Sequence, residues 1–172
     1  MTRKPSRRAL IDVLDRMVAE TDALRPPAEA EVKRVVYAVY MLGTLLNREA
    51  DALLAGWRLN FFSYGILAAL RRAGPRASLA PTELATILGL TPGGVSNLLR
   101  RLERQGRVAR ERDRTDRRGV SVRLTVPGRR IADVAIEALA AEEARRLRGL
   151  GATGRRRLYT ILREVIGSFD GA

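Results

Sequence analysis

Residues 91–125 carry the pattern that most restricts the fold of this chain, because a capped amphipathic helix runs directly into a two-stranded ribbon. Thr91 is a natural N-cap, since its hydroxyl can accept a hydrogen bond from a free amide of the first turn. Pro92 suits the first helical position, and Gly106 can take the left-handed conformation that ends a helix. One apolar stripe with helical spacing lies between them: Val95, Leu98, Leu99 and Leu102.

The opposite face of this helix is polar and cationic, and it carries Ser96, Asn97, Arg100, Arg101 and Arg104. Two weak helix formers, Gly93 and Gly94, stand in the first turn. Because they have no side chain, they leave little bulk at the end of the helix where another surface could approach closely.

The ribbon is predicted from two alternating segments, Val108–Arg112 and Val120–Leu124. In the second segment the valines and Leu124 are expected to face inward, with Ser121 and Arg123 outward. The loop between them, residues 113–119, is charged and has no apolar residue. Such a loop has nothing to bury, so it must stay in solvent or meet a charged partner.

Together these segments resemble the recognition helix and wing of the MarR (multiple antibiotic resistance regulator) family of winged helix-turn-helix transcription factors. The resemblance covers residues 57–130, and its most specific part is Asp-Arg-Arg followed by Val-x-Leu-Thr. It is carried by Leu84-Ala85, Leu88-Gly89-Leu90-Thr91, Val95-Ser96, Leu99, Arg101-Leu102-Glu103, Gly106, Val108, Arg110, Asp113, Asp116-Arg117-Arg118, Val122, Leu124-Thr125 and Gly128.

The resemblance implies a mainly α fold, with a winged helix-turn-helix lobe, a small β-ribbon wing and a helical dimerisation platform built from the N- and C-terminal helices. On this interpretation residues 1–27 form a basic arm and an extra helix, and residues 28–56 a long helix of the platform. Residues 57–126 form the DNA-binding lobe and residues 127–172 the C-terminal dimerisation helices. The apolar stripe of the long helix is wide, so much of this helix is expected to be buried.

The other helices are predicted over residues 61–72, 81–88, 129–147 and 155–169. Leu84, Ile87 and Leu88 are expected to face the core, and Thr153 to cap the last helix. Ser78-Leu79 is a short extended stretch that could add a third strand to the ribbon. The helix at 81–88 departs from the common family pattern, because Ala80 stands where a Ser or Thr cap is expected.

Composition limits the classes of function. The net charge is +13, with 32 basic and 19 acidic residues, and a cationic surface attracts polyanions, most commonly nucleic acid. Cysteine and histidine are both absent, which excludes disulfides, thiol sensing and the usual thiolate or imidazole metal ligands. We therefore predict no cofactor, no metal and no enzymatic activity. The chain has no apolar run of membrane-spanning length and no signal-peptide pattern, so a cytoplasmic location is expected.

The resemblance also implies which residues meet DNA. The expected recognition-helix set is Thr91, Gly93, Gly94, Ser96, Asn97, Arg100, Arg101 and Arg104. The expected wing set is Arg114, Asp116, Arg117 and Arg118. Ser96, Asn97 and Arg100 are candidates for base edges, because Asn suits adenine and Arg suits guanine. Arg118 matches the wing arginine that enters the minor groove, and Asp116 would hold its guanidinium in place.

The family often binds small aromatic or phenolic effectors between the dimer platform and the DNA-binding lobe. Residues that could line such a pocket are Tyr37, Tyr40, Trp57, Phe61, Phe62 and Tyr64, although the same side chains could simply fill a hinge. The expected function is a homodimeric regulator, a repressor that binds a pseudo-palindromic operator and is released by a small molecule. The alternative is a sequence-tolerant architectural protein that binds double-stranded DNA, which the high net charge also suits.

Overall fold

The computed structural model describes residues 7–74, 77–112 and 119–171. The helices are α1 (Arg7–Leu24), α2 (Pro27–Leu54), α3 (Phe61–Ala73), α4 (Pro81–Leu88), α5 (Pro92–Arg104), α6 (Val126–Arg146) and α7 (Gly151–Gly167). The strands are β1 (Val108–Arg112) and β2 (Val120–Leu124). This confirms the predicted mainly α fold with a small β-ribbon. The chain forms two compact units, Met1–Ala52 and Leu53–Ala172.

In the first unit, α1 is tied to α2 by polar contacts. The Arg34 guanidinium donates two hydrogen bonds to the Asp22 carboxylate, at 3.2 and 2.6 Å. An apolar groove runs alongside, lined mainly by leucines and Met41. The expectation that much of α2 is buried is wrong for the single chain, since Val32 and Tyr40 are 62% and 73% exposed. One neighbouring helix can cover only part of so wide a stripe.

The second unit has a leucine-rich core around α3. Asn60 caps this helix, because its side-chain oxygen accepts from the Ser63 amide at 2.9 Å. The largest fully buried apolar side chains of the unit are Leu54, Ile66, Leu67, Leu70, Leu84, Val95, Leu99, Leu102 and Val122. These residues come from the last position of α2 and from α3, α4, α5 and β2, so one core packs α5 against α3 and α4.

The two strands pair antiparallel, with Val108 opposite Leu124. Leu79 adds one bridge to Val122, through backbone hydrogen bonds of 2.9 and 3.0 Å, so the expected third strand is a single bridged residue. The predicted alternation in β2 is wrong at its start, because Val120 is 43% exposed and Ser121 only 5%. β2 contacts three helices, α3, α4 and α6. Side chains on both faces of this strand are therefore covered, Ser121 among them.

Three helix details also differ from expectation. Ile87 is 50% exposed and does not face the core, whereas Leu84 and Ala85 do. α6 begins at Val126 instead of residue 129, since Thr125 caps it by accepting from the Gly128 amide at 3.0 Å. α7 begins at Gly151, whose positive φ of 59° makes the turn into the helix. Thr153 therefore lies inside α7 and is not its cap.

No single helix among the described ranges is long and apolar enough to cross a membrane. By length and composition alone, the segments Pro27–Trp57 and Phe61–Ala73 meet that requirement only together, as a bent pair.

Candidate nucleic-acid interface

Helices α4 and α5 form the predicted helix-turn-helix. Gly89 ends α4 in the left-handed region, with φ 62°, and the Leu90 amide donates to the Ala85 carbonyl at 3.0 Å. α5 follows after a turn of three residues, 89–91, and buries Val95, Leu99 and Leu102 completely. Because the apolar stripe of α5 is packed against the core, its polar face is turned outward.

The first turn of α5 has an N-cap and leaves open space beside its backbone. The Thr91 hydroxyl accepts from the Gly94 amide at 3.2 Å, which confirms the predicted N-cap. Gly93 is exposed, and a methyl group placed on it would meet nothing within 4 Å. The fold itself therefore does not require glycine at position 93, and the open space suits close approach of another molecule.

Two of the three candidate base-reading side chains, Asn97 and Arg100, are hydrogen-bonded to each other. The Arg100 guanidinium donates to the Asn97 side-chain oxygen at 2.7 Å, one turn apart on the exposed face of α5. Arg104 is exposed further along the helix, and Ser96 is half-buried. The sequence placed Asn97 and Arg100 on one face, and the structure adds that each orients the other before any ligand is present.

Arg101 has a different partner. Its Nη2 donates to the Arg58 carbonyl at 3.2 Å, in the linker that precedes α3. Arg107 lies nearby, just before β1, and its Nη2 donates to the Trp57 carbonyl. Burial, followed by the charges of Arg101 and Arg58, lowers the pKa of Arg107 from its ordinary value. Neither Arg58 nor Arg107 could be identified from local sequence patterns, because these contacts join residues 43 and 50 positions apart in the chain.

Side chains of the ribbon form ion pairs on both of its faces, since Arg110 and Glu111 are consecutive residues of β1. The Arg123 guanidinium pairs across the strands with Glu111, and Arg110 lies 3.4 Å from Glu103 of α5. The predicted wing-tip residues, Arg114, Asp116, Arg117 and Arg118, lie outside the described residues, as does the basic arm over residues 1–6.

Comparison with known proteins decides the family. A MarR family model matches residues 59–119. An HTH-type transcriptional repressor of Mycobacterium bovis, Mb2911, is 32% identical over 132 residues, which cover 77% of this chain and 92% of that protein. The chain belongs to the MarR family.

A second relative of this chain is the HTH-type transcriptional regulator PecS of Dickeya dadantii. It is 29% identical over 104 residues, or 60% of this chain, and the match spans 63% of the length of PecS. These relatives are named as transcriptional regulators and not as enzymes.

Solved structures share the MarR fold. The reduced form of MarR from E. coli has a TM-score of 0.64 at 26% identity, covering 74% of this chain and 93% of that one. The S. aureus MepR–DNA complex has a TM-score of 0.71 at 22% identity, covering 78% and 95%. At the latter identity the likeness concerns the fold alone.

The expected effector-pocket residues of this MarR-family protein are divided between the two units. Tyr37 and Tyr40 belong to the first unit, and the other four aromatic residues to the second. Within the second unit the rings of Phe61 and Phe62 meet edge to face, with centroids 5.8 Å apart. Burial, and then the charge of Glu143, raises the pKa of Tyr64, so its hydroxyl stays protonated at neutral pH.

Proposed function

We propose that this MarR-family protein represses transcription by binding a pseudo-palindromic operator as a homodimer. It is a DNA-binding transcriptional regulator of the winged helix-turn-helix type. The observation that carries the proposal is the geometry of α5. Val95, Leu99 and Leu102 of its apolar stripe are fully buried, while Gly93, Asn97, Arg100, Arg101 and Arg104 on its polar side are exposed. A helix of this kind fits the major groove of B-DNA.

In a symmetric dimer two copies of α5 would enter successive major grooves, roughly 34 Å apart. Ser96, Asn97 and Arg100 would meet base edges, and the bond between Asn97 and Arg100 supports a fixed arrangement of their donors and acceptors. Thr91, Arg101 and Arg104 would contact phosphates, while the glycines at 93 and 94 allow the backbone to come close. Phosphate contacts fix the register, and base contacts provide the specificity.

The wing would complete the site. Arg118 is proposed to enter the minor groove, and Asp116 to hold its guanidinium by a bidentate pair. Arg114 and Arg117 would contact the flanking backbone. A narrow A·T-rich groove has an enhanced negative potential, so it would favour this arginine.

A homodimer is supported by the apolar side chains that the single chain leaves in solvent. On α7 these include Ile161, Val165 and Ile166, which are 47%, 49% and 69% exposed. Exposed apolar patches of this kind mark surfaces that associate. We therefore assign the long helix and the C-terminal helices to the dimer platform, with a cytoplasmic location for the assembly.

Release by a small aromatic or phenolic ligand completes the proposal, with the six aromatic residues named above as its pocket. A thermal-shift screen of phenolic acids tests this part. Concentration-dependent stabilisation by one compound, together with weaker DNA binding in its presence, is the expected result. If no compound stabilises the protein, regulation does not use this ligand class.

The operator proposal is tested by fluorescence anisotropy at physiological salt. The DNA upstream of the protein's own gene is compared with a scrambled duplex of equal length. A preference of about a thousandfold or more is expected of a specific regulator. Equal binding to every duplex, including fragments from a genome-wide selection, with affinity that collapses as salt rises, would instead identify the sequence-tolerant architectural protein.

A further inference from the structure

Three arginines from separate segments meet beside the linker that follows α2. We call Arg58, Arg101 and Arg107 the arginine corner. Arg101 and Arg107 donate to the consecutive carbonyls of Arg58 and Trp57, and Gln105 adds a longer contact of its side-chain nitrogen to the Arg58 carbonyl, at 3.5 Å. The corner lies wholly within the second unit.

Within the described residues, no carboxylate neutralises the positive charge of this corner. Among the described residues, no ion pair joins any of the three guanidinium groups to a carboxylate. The carbonyls that they contact end a helical segment and supply only a partial negative charge. Burial lowers the pKa of Arg107, and the charges of Arg101 and Arg58 lower it further, so these two cations lie close enough to act on its guanidinium.

Hydrogen-bonding capacity is also left over at this place. Arg107 Nη1 and Gln105 Oε1 are buried and have no partner within the part of the chain that the structure describes. Buried polar atoms are nearly always satisfied, and a guanidinium fork matches the geometry of a carboxylate or phosphate. Hydrogen phosphate has both kinds of group. Its charged oxygens could accept a hydrogen bond from Arg107 Nη1, and its hydroxyl could donate one to an acceptor such as Gln105 Oε1.

We propose that the arginine corner is a binding site for a small oxyanion, a phosphate or carboxylate, in the DNA-free protein. The anion would sit against Arg107 with Arg58 and Arg101 around it. The site joins the last turn of α5 to the linker before α3. A bound anion would therefore stabilise the packing of α5, the proposed recognition helix, against this linker. The proposal does not depend on operator binding, because the site and its test involve no DNA.

The test is calorimetric titration of the full-length, DNA-free protein with inorganic phosphate, at constant ionic strength set with chloride. Saturable binding is expected, with a dissociation constant in roughly the millimolar range. Arg58→Asn removes one guanidinium and suits the left-handed backbone at this residue, φ 54°. We expect it to weaken phosphate binding about tenfold. A second variant, Arg107→Gln, should weaken it at least as much.

The matched control is Arg157→Gln, which removes the same charge from an exposed position of α7 and should leave the affinity for phosphate unchanged. Equal weakening in this control would overturn the proposal in favour of general electrostatic attraction. The absence of saturable phosphate binding would also overturn the proposal. If Arg58→Asn then showed a lower affinity for DNA and a shallower salt dependence of that affinity, the corner would be assigned to DNA phosphates. Parallel titration with acetate distinguishes the two oxyanions, since the tighter binder identifies the ligand class.

Discussion

Gly128 is the residue whose lack of a side chain the fold most clearly requires. A methyl group built at this position would lie 1.8 Å from the Arg107 carbonyl oxygen, which is backbone and cannot move aside cheaply. We expect Gly128→Ala to lower the free energy of unfolding by about 1–3 kcal/mol or more, as measured by urea denaturation. Gly93→Ala is the control, because its methyl meets nothing within 4 Å; equal stability of the two variants would contradict the close approach.

A substitution of Arg118 tests whether the wing contributes to operator binding. If its guanidinium enters the minor groove, Arg118→Ala should weaken specific operator binding by about 1–3 kcal/mol, while the mass of the assembly in solution stays that of the wild type. Anisotropy and light scattering measure the two quantities. Unchanged operator affinity would remove the wing from the recognition model.

At the scale of elements, Thr125 connects the end of α5 to the start of α6. Its hydroxyl donates to the Gly106 carbonyl at 2.6 Å and accepts from the Gly128 amide at 3.0 Å. Its own amide donates to the Arg107 carbonyl at 3.0 Å. Thr125→Val keeps the shape but loses both hydroxyl contacts, so thermal or urea unfolding should show a loss of about 1–2 kcal/mol. Thr125→Ser keeps the hydroxyl and should recover most of that stability; a serine variant as weak as the valine variant would argue against the cap.

The whole molecule is proposed to be stable only as a dimer, because its C-terminal helix leaves an apolar side in solvent. Ile166 is 69% exposed on that side. A glutamate there would have to lose its hydration in the interface, so Ile166→Glu should shift the species seen by light scattering from dimer to monomer. Thr160→Glu makes a comparable change on the other side of α7 and should leave the dimer intact. A monomeric wild-type protein, or a dimeric Ile166→Glu variant, would contradict this assignment.

Local signals in the sequence determined the order of the helices, the helix-turn-helix and most of the caps. Thr91 and Asn60 were predictable as caps because each accepts from an amide three residues later, and the stripe on α5 was predictable because one helix period places its members together. The exposed polar face of α5, which forms the centre of the candidate site, followed from the same period. Of its side-chain contacts, the bond between Asn97 and Arg100 is also local.

Only the tertiary structure decided which side chains on a correctly predicted element are covered, and which distant groups meet. Ile87 is exposed and Ser121 buried because burial depends on the number of neighbouring elements, which periodicity does not encode. The arginine corner depends on contacts between residues 43 and 50 positions apart in the chain. The sequence therefore determined the recognition element through short-range geometry, whereas the packing of α5 against the linker determined where Arg101 and Arg107 direct their charge.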